Sequence, residues 1–400
     1  MTSLLFALWF WLAASTAWAF DVTFCVDLDV DYPYASEGGD FWLDNSVNKA
    51  ARGFQWVLTS SNPVVWKTGT LSENDADAGC TTVTGLSLGS GYFLTISPTA
   101  VVQGNTITHA DLNPYTFGPV RINGPGTINN TIPLSAGGQH LVAAAYAVHH
   151  HKLGATGKTI TLHDCTLLCN YTSGDGRDIY YAAEADKYVI AHEIGHALML
   201  QQTAIASAVC NCSSGCDGGD NLNRKWWAQA FKEGIAWWYA MITWNAKVGG
   251  DCEWWNTQNL DVDLDGITDY PANFSLPCWG DPDNSAPDFT DGEDWLNDVY
   301  NHNGCTGAAT NHTTEYDIVH YGWGLYAYGS DSINNNANDL TAEEIMTLLL
   351  AAGPSTWDPD GTTPSTTDDP YQQWNTAAAG FGAYSRIYLA HLQQRAAVDH

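Results

Sequence analysis

The stretch YVIAHEIGHALML, residues 188–200, decides how the second half of the chain is read. It is apolar apart from His192, Glu193 and His196, with the two histidines four residues apart. On an α-helix, positions i and i+4 lie one turn apart on the same face, so both imidazoles can reach a single ion. Glu193 sits about 100° further round, beside such an ion rather than on it, where a carboxylate can hold and deprotonate a water. The competing reading is a buried helix carrying two hydrogen-bonded histidines. The helical, apolar setting favours zinc.

Catalytic zinc takes three protein ligands and keeps one position open. The nearest later candidate lies on a second predicted helix, KWWAQAFKEGIAWWYAMITW, residues 225–244. At about 100° per residue, Phe231, Ile235, Trp238 and Ile242 form a core stripe, with Lys232, Tyr239 and Thr243 along a polar edge. Glu233 points elsewhere, among Ala230, Ala236, Trp237, Ala240 and Trp244. A lone carboxylate on an apolar face is costly to bury without a partner, and a metal ion suffices as one. An arginine partner or a raised pKa is the alternative.

His192-Glu193-x-x-His196 followed by Glu233-Gly234-Ile235-Ala236 resembles the gluzincin metallopeptidases. A metzincin continuation would place Gly at position 199 and His at 202, where this chain has Met199 and Gln202. The gluzincin resemblance covers two helices and implies that His192, His196 and Glu233 bind zinc while Glu193 is the general base. The gap of 36 residues between His196 and Glu233 is longer than in well-known members, which implies a divergent branch. Many gluzincins add a Tyr or His downstream to stabilise the oxyanion. The segment EYDIVHYGWGLYAYG offers His320 and Tyr321, of which Tyr321 is favoured because it precedes Gly322 in an apolar helix.

Around these helices the 400-residue chain is long enough for two domains. MTSLLFALWFWLAASTAWA reads as a signal peptide over residues 1–19, ending in a small-x-small cleavage pattern. Residues 20–128 carry short alternating runs such as DVTFCVDLDV and FQWVLTS between Gly, Ser and Asn clusters, and predict a β-sandwich. GPVRINGPGTINNTIPLS, residues 118–135, reads as a linker. Residues 129–400 predict an α-rich α+β zincin-like catalytic domain, with an acidic loop insertion over about 248–315. The fold class expected is therefore multidomain: an all-β sandwich, then an α-rich α+β domain.

All ten cysteines follow the apparent signal, which favours disulfides in an exported protein. Cys25 with Cys80 and Cys252 with Cys278 are the expected pairs, and CNCSSGC at 210–216 reads as disulfide-forming in preference to a zinc knuckle. The net charge of −30 repels nucleic acid and anionic membranes. No later window is apolar enough to span a membrane. Asp outnumbers Glu 34 to 10, which points to turns and cation loops. NLDVDLDGITDYP places Asp261, Asp263, Asp265 and Asp269 at positions 1, 3, 5 and 9 of a calcium-loop pattern, with Gly266 at position 6. Ala272 at position 12 excludes a full EF-hand.

The expected protein is a secreted zinc peptidase acting on protein or peptide substrates, with zinc and calcium as cofactors. A non-catalytic exported binding or adhesion protein is the alternative. A closed zinc site with four protein ligands would favour it. Oligomeric state, substrate preference and latency are not legible in the sequence.

Overall fold

The computed structural model describes residues 19–29, 49–61, 64–133, 135–166, 169–183, 185–202, 225–244, 253–256, 274–277, 312–313, 318–319, 322, 325–326 and 340–351. The chain divides into two compact units, residues 1–149 with 161–164, and residues 150–160 with 165–400.

In the first unit, β1 (Ala19–Leu28) lies between β4 (Cys80–Ser87), antiparallel, and β8 (Gly126–Ile132), parallel. The alternation in β1 buries Val22, Phe24, Val26 and Leu28. Cys25 and Cys80 are register partners and form a disulfide.

A second sheet is built on the long strand β5 (Gly91–Val102). One edge of β5 pairs with β2 (Phe54–Ser61), which in turn pairs with β3 (Val64–Thr70). Its other edge is shared by β7 (Tyr115–Arg121) near the start and β6 (Asn105–His109) near the end. Gln103 and Gly104 both have positive φ, the requirement of the tight two-residue turn that joins β5 to β6. Residues 161–164 of β9 (Thr159–Cys165) also belong to this unit, and Ala110 N donates to Leu162 O at 2.9 Å.

Helix α1 (Ala136–His150) follows β8, with almost every residue to Val148 buried. Buried Arg52 lies with its guanidinium 5.5 Å from the Tyr146 ring centroid, and it donates to Glu73 O at 2.7 Å. Residues 118–135, read from their Gly, Pro and Asn content as a linker, instead supply the end of β7 and all of β8.

The second unit holds the hairpin strands β10 (Tyr171–Thr172) and β11 (Asp178–Ala182) and helices α2 (Lys187–Leu200) and α3 (Trp227–Trp244). It also contains β12 (Lys225–Trp226), β13 (Glu253–Asn256), β14 (Phe274–Pro277), β15 (His312–Thr313) and α4 (Ala342–Leu350). β12 pairs with β15, and β13 with β14, both antiparallel. A second disulfide joins Cys165 to Cys169.

This architecture corrects the expected fold class. Among the described residues, strands account for 42% and helices for 32%, in four helices, so an all-β sandwich followed by an α-rich zincin-like domain is not what forms. The first unit contains α1, and the described part of the second carries short strands as well as helices. The physical reason is length: strands of two to seven residues leave almost no periodic signal, whereas α2 and α3 dominate any window that includes them. No helix among the described residues is long and apolar enough to cross a membrane.

The disulfide between β1 and β4 closes a sequence separation of 55 residues. Chain entropy assigns such a cross-link about 4 kcal/mol. Replacing Cys25 and Cys80 together with Ser should lower the denaturant-unfolding free energy by an amount of that order, read from the shift in transition midpoint.

Candidate metal centre on helices α2 and α3

Helix α2 starts where Asp186, in extended conformation, accepts hydrogen bonds from Tyr188 N at 2.8 Å and Val189 N at 2.9 Å. Nearly every residue from Lys187 to Met199 is buried, so the helix is enclosed on all sides. Tyr181 Oη of β11 donates to Ile190 O at 2.9 Å. At the other end, Gln201 Nε2 donates to Gly176 O at 2.6 Å. Gly176 has φ +71°, and a Cβ there would stand 2.6 Å from Ala197 O, so only glycine lets the β10–β11 turn sit this close to α2. That turn fixes the position of Thr172.

Helix α3 runs antiparallel to α2. Trp244 Nε1 near its end donates to Lys187 O at the start of α2, at 2.8 Å, while Glu233 meets His196. The helices pack tightly at Gly195, where a Cβ would meet Tyr239 Cβ at 3.0 Å and Ala236 Cα at 3.1 Å. The predicted core stripe of α3 is observed, with Phe231, Ile235, Trp238 and Ile242 all buried. Tyr239 and Thr243, assigned to a polar edge, are buried as well; Tyr239 lies against Gly195 of α2, and the Thr243 hydroxyl donates to Tyr239 O at 2.8 Å.

This packing brings the three expected ligands together. Glu233 Oε2 lies 3.0 Å from His196 Nε2 and 3.3 Å from His192 Nε2. One donor atom from each side chain falls within 4.8 Å of the others, and among the described residues the group has three members. Both histidines are buried, and the Glu233 side chain is 19% exposed. Its other oxygen, Oε1, is 3.6 Å from Lys232 Nζ, so the face is less apolar than the helical wheel implies. The Trp237 ring centroid stands 4.0 Å from that of His192 and braces it. Neither Nδ1 atom of the two histidines has a hydrogen-bond partner among the described residues, so packing orients the rings.

The charge states suit cation binding. Burial, reinforced by His196, pushes the His192 imidazole below its ordinary value despite the pull of Glu233, which favours the neutral form that ligates metal. Burial alone would raise Glu233, but the His196 and His192 imidazoles hold its carboxyl well below the usual range.

Glu193 is set apart from the three. Thr172 Oγ1 is 2.6 Å from Glu193 Oε2 and 3.0 Å from Glu193 O, and its single proton is best placed on the closer, charged acceptor. Burial raises the Glu193 carboxyl, with His192 and the Thr172 hydrogen bond opposing it.

Thr172, Gly195 and Asp186 were not singled out from the sequence. Asp186 had a visible signal, a capping residue directly before the helical run, and Gly195 stood inside the motif itself. Thr172 had none, since its role depends on the β10–β11 turn. Tyr321, His320 and the proposed calcium ligands Asp261, Asp263, Asp265 and Asp269 lie outside the described residues. Gly322 is described: a Cβ there would meet the Trp238 ring at 2.8 Å, so Gly322 itself packs against α3.

Comparison with protein-family models, with curated proteins and with solved structures finds no match.

Burial raises Asp186 from 3.8 to about 6, although Val189 N, Tyr188 N and the Lys187 charge favour the ionised form. A carboxyl raised on folding binds more protons in the native state, so its stabilising contribution is present below the unfolded value and falls as pH rises from 3.8 to about 6. Asp186→Asn keeps the cap acceptor but cannot ionise, so its unfolding free energy relative to wild type should rise over that interval. Asp186→Ala should be about 1 kcal/mol less stable than Asp186→Asn. Chemical denaturation at several pH values measures both.

Proposed function

We propose that this chain is a zinc-dependent peptidase whose active site is carried by the α2–α3 pair within a β-rich protein. The observation that carries the reading is the convergence of Glu233, from a separate helix, on the Nε2 atoms of His192 and His196, with Glu193 held to one side. Two imidazoles and one carboxylate form a ligand set of catalytic zinc, and the three donors found among the described residues match the catalytic count. The same four residues carry the gluzincin resemblance. That resemblance is confined to the helix pair and the chemistry it supports.

Zinc held by these side chains would supply Lewis acidity for polarising a substrate carbonyl and activating water. Glu193 takes a proton from the attacking water and returns it to the departing amine. Burial favours this role by raising the carboxyl above its ordinary value, which makes the carboxylate a stronger base. Thr172 fixes which Glu193 oxygen is engaged and leaves the other for the water. His192, His196 and Glu233 hold the ion and do not exchange protons with substrate. The disulfides, the acidic charge and the apolar amino-terminal stretch support export as the setting in which the protein acts.

In zinc-loaded protein, Glu193→Gln should reduce cleavage of a peptide library by at least about 100-fold while leaving zinc content unchanged. Undiminished hydrolysis by that variant contradicts the mechanism. Thr172→Val keeps the shape and removes the donor. It should lower kcat by about tenfold with little change in KM, the scale of one hydrogen bond to a charged group.

A further inference from the structure

We propose a second metal site, in the first unit, formed by His109, His140 and Asp164 and taking a divalent transition-metal ion of the zinc class. The three residues come from separate elements: the end of β6, the first half of α1 and the end of β9. Asp164 Oδ1 lies 3.4 Å from His109 Nε2 and 4.0 Å from His140 Nδ1, and the three donor atoms all fall within 4.8 Å of one another. Zinc–nitrogen and zinc–oxygen bonds of about 2.0–2.2 Å in tetrahedral array separate neighbouring donors by roughly 3.4 Å, so small adjustments bring all three onto one ion.

Two independent observations mark the cluster as a ligand cradle. His109 is 2% exposed, and its Nε2 makes no hydrogen bond despite the nearby carboxylate. A buried imidazole nitrogen of this kind costs stability unless something fills its place. Gly137, in the first turn of α1, faces the same atom: a Cβ there would stand 2.8 Å from His109 Nε2 and 2.9 Å from Cε1. Only glycine lets the first turn of α1 pack this closely on the His109 ring, so a side chain here would displace the ligand nitrogen.

The surroundings fit a cation. Asp111 Oδ2 accepts from Asp164 N at 2.9 Å, placing a second carboxylate behind the first. Asp164 is 48% exposed at its side chain, which gives an ion a path in, whereas both histidines are enclosed. Asp111 N makes a long 3.4 Å contact to His109 Nδ1. Metal binding gives up that long contact, because a neutral ring bound through Nε2 carries its proton on Nδ1, opposite the Asp111 N–H. The bound ion ties β6, α1 and β9 together, and stabilises the first unit by binding only the native arrangement.

The test uses the full chain, stripped with chelator and titrated with zinc, with stoichiometry from calorimetry and elemental analysis. Asp164→Ala and Gly137→Ala should each bind one equivalent fewer than wild type. A double variant with His192→Ala and His196→Ala should also lose one equivalent but keep the other. In that double variant zinc should still raise the thermal midpoint, and adding Asp164→Ala should abolish the rise. Wild-type stoichiometry in both Asp164→Ala and Gly137→Ala overturns the site, as does a His192/His196 double variant that binds no zinc. Loss of zinc from the α2–α3 centre alone is read separately, by the double variant, so the two sites fail independently. Asp164 is half-exposed, which keeps its variant informative if Gly137→Ala does not fold.

Discussion

The close approach of α2 and α3 at Gly195 is the constraint from which the candidate site follows. With Tyr239 Cβ and Ala236 Cα only 3.0 and 3.1 Å from where a Cβ would stand, the two helices pack tightly at this point. A glutamate has a short reach, so Glu233 meets both imidazoles only because the backbones converge there. Gly195 lies between His192 and His196 in the sequence and, like them, meets α3. A methyl group at that point would have to move the neighbouring helix by a few tenths of an ångström, and Glu233 with it.

Enclosing this much charge in an apolar helix pair is expensive. A buried, uncompensated carboxylate or imidazolium costs several kcal/mol, and here two carboxylates and two imidazoles share one small volume. The arrangement divides them by task. Glu233 faces the histidines and Lys232, while Glu193 is turned away and satisfied by Thr172. A divalent cation at the first group would balance the Glu233 charge without touching Glu193. The β10–β11 turn, held against α2 by Gly176 and Gln201, therefore matters as much to the site as the helix that bears the motif.

Much of the candidate site was legible in the sequence, and much of the fold was not. The four-residue spacing of His192 and His196 and the isolated carboxylate on α3 are local, periodic signals, and helices longer than three turns express them strongly. The disulfide of Cys25 with Cys80 was legible because both flank alternating strand-like runs in the same half of the chain. Tyr239 and Thr243 misled because a polar group on a helix looks solvent-facing until its cover is known. The short strands misled for the opposite reason: β10 has two residues, and nothing in Tyr171-Thr172 announces a ladder. His109, His140 and Asp164 carry no shared spacing at all, since three separate elements bring them together.

The most direct measurement is diffraction from crystals of the zinc-loaded protein, with anomalous maps at the zinc absorption edge. The account predicts a peak about 2.0–2.2 Å from Nε2 of His192, Nε2 of His196 and Oε2 of Glu233, with its fourth position taken by a non-protein ligand. A peak at α2 and α3 with four protein ligands, or no peak beside those three atoms, would contradict it.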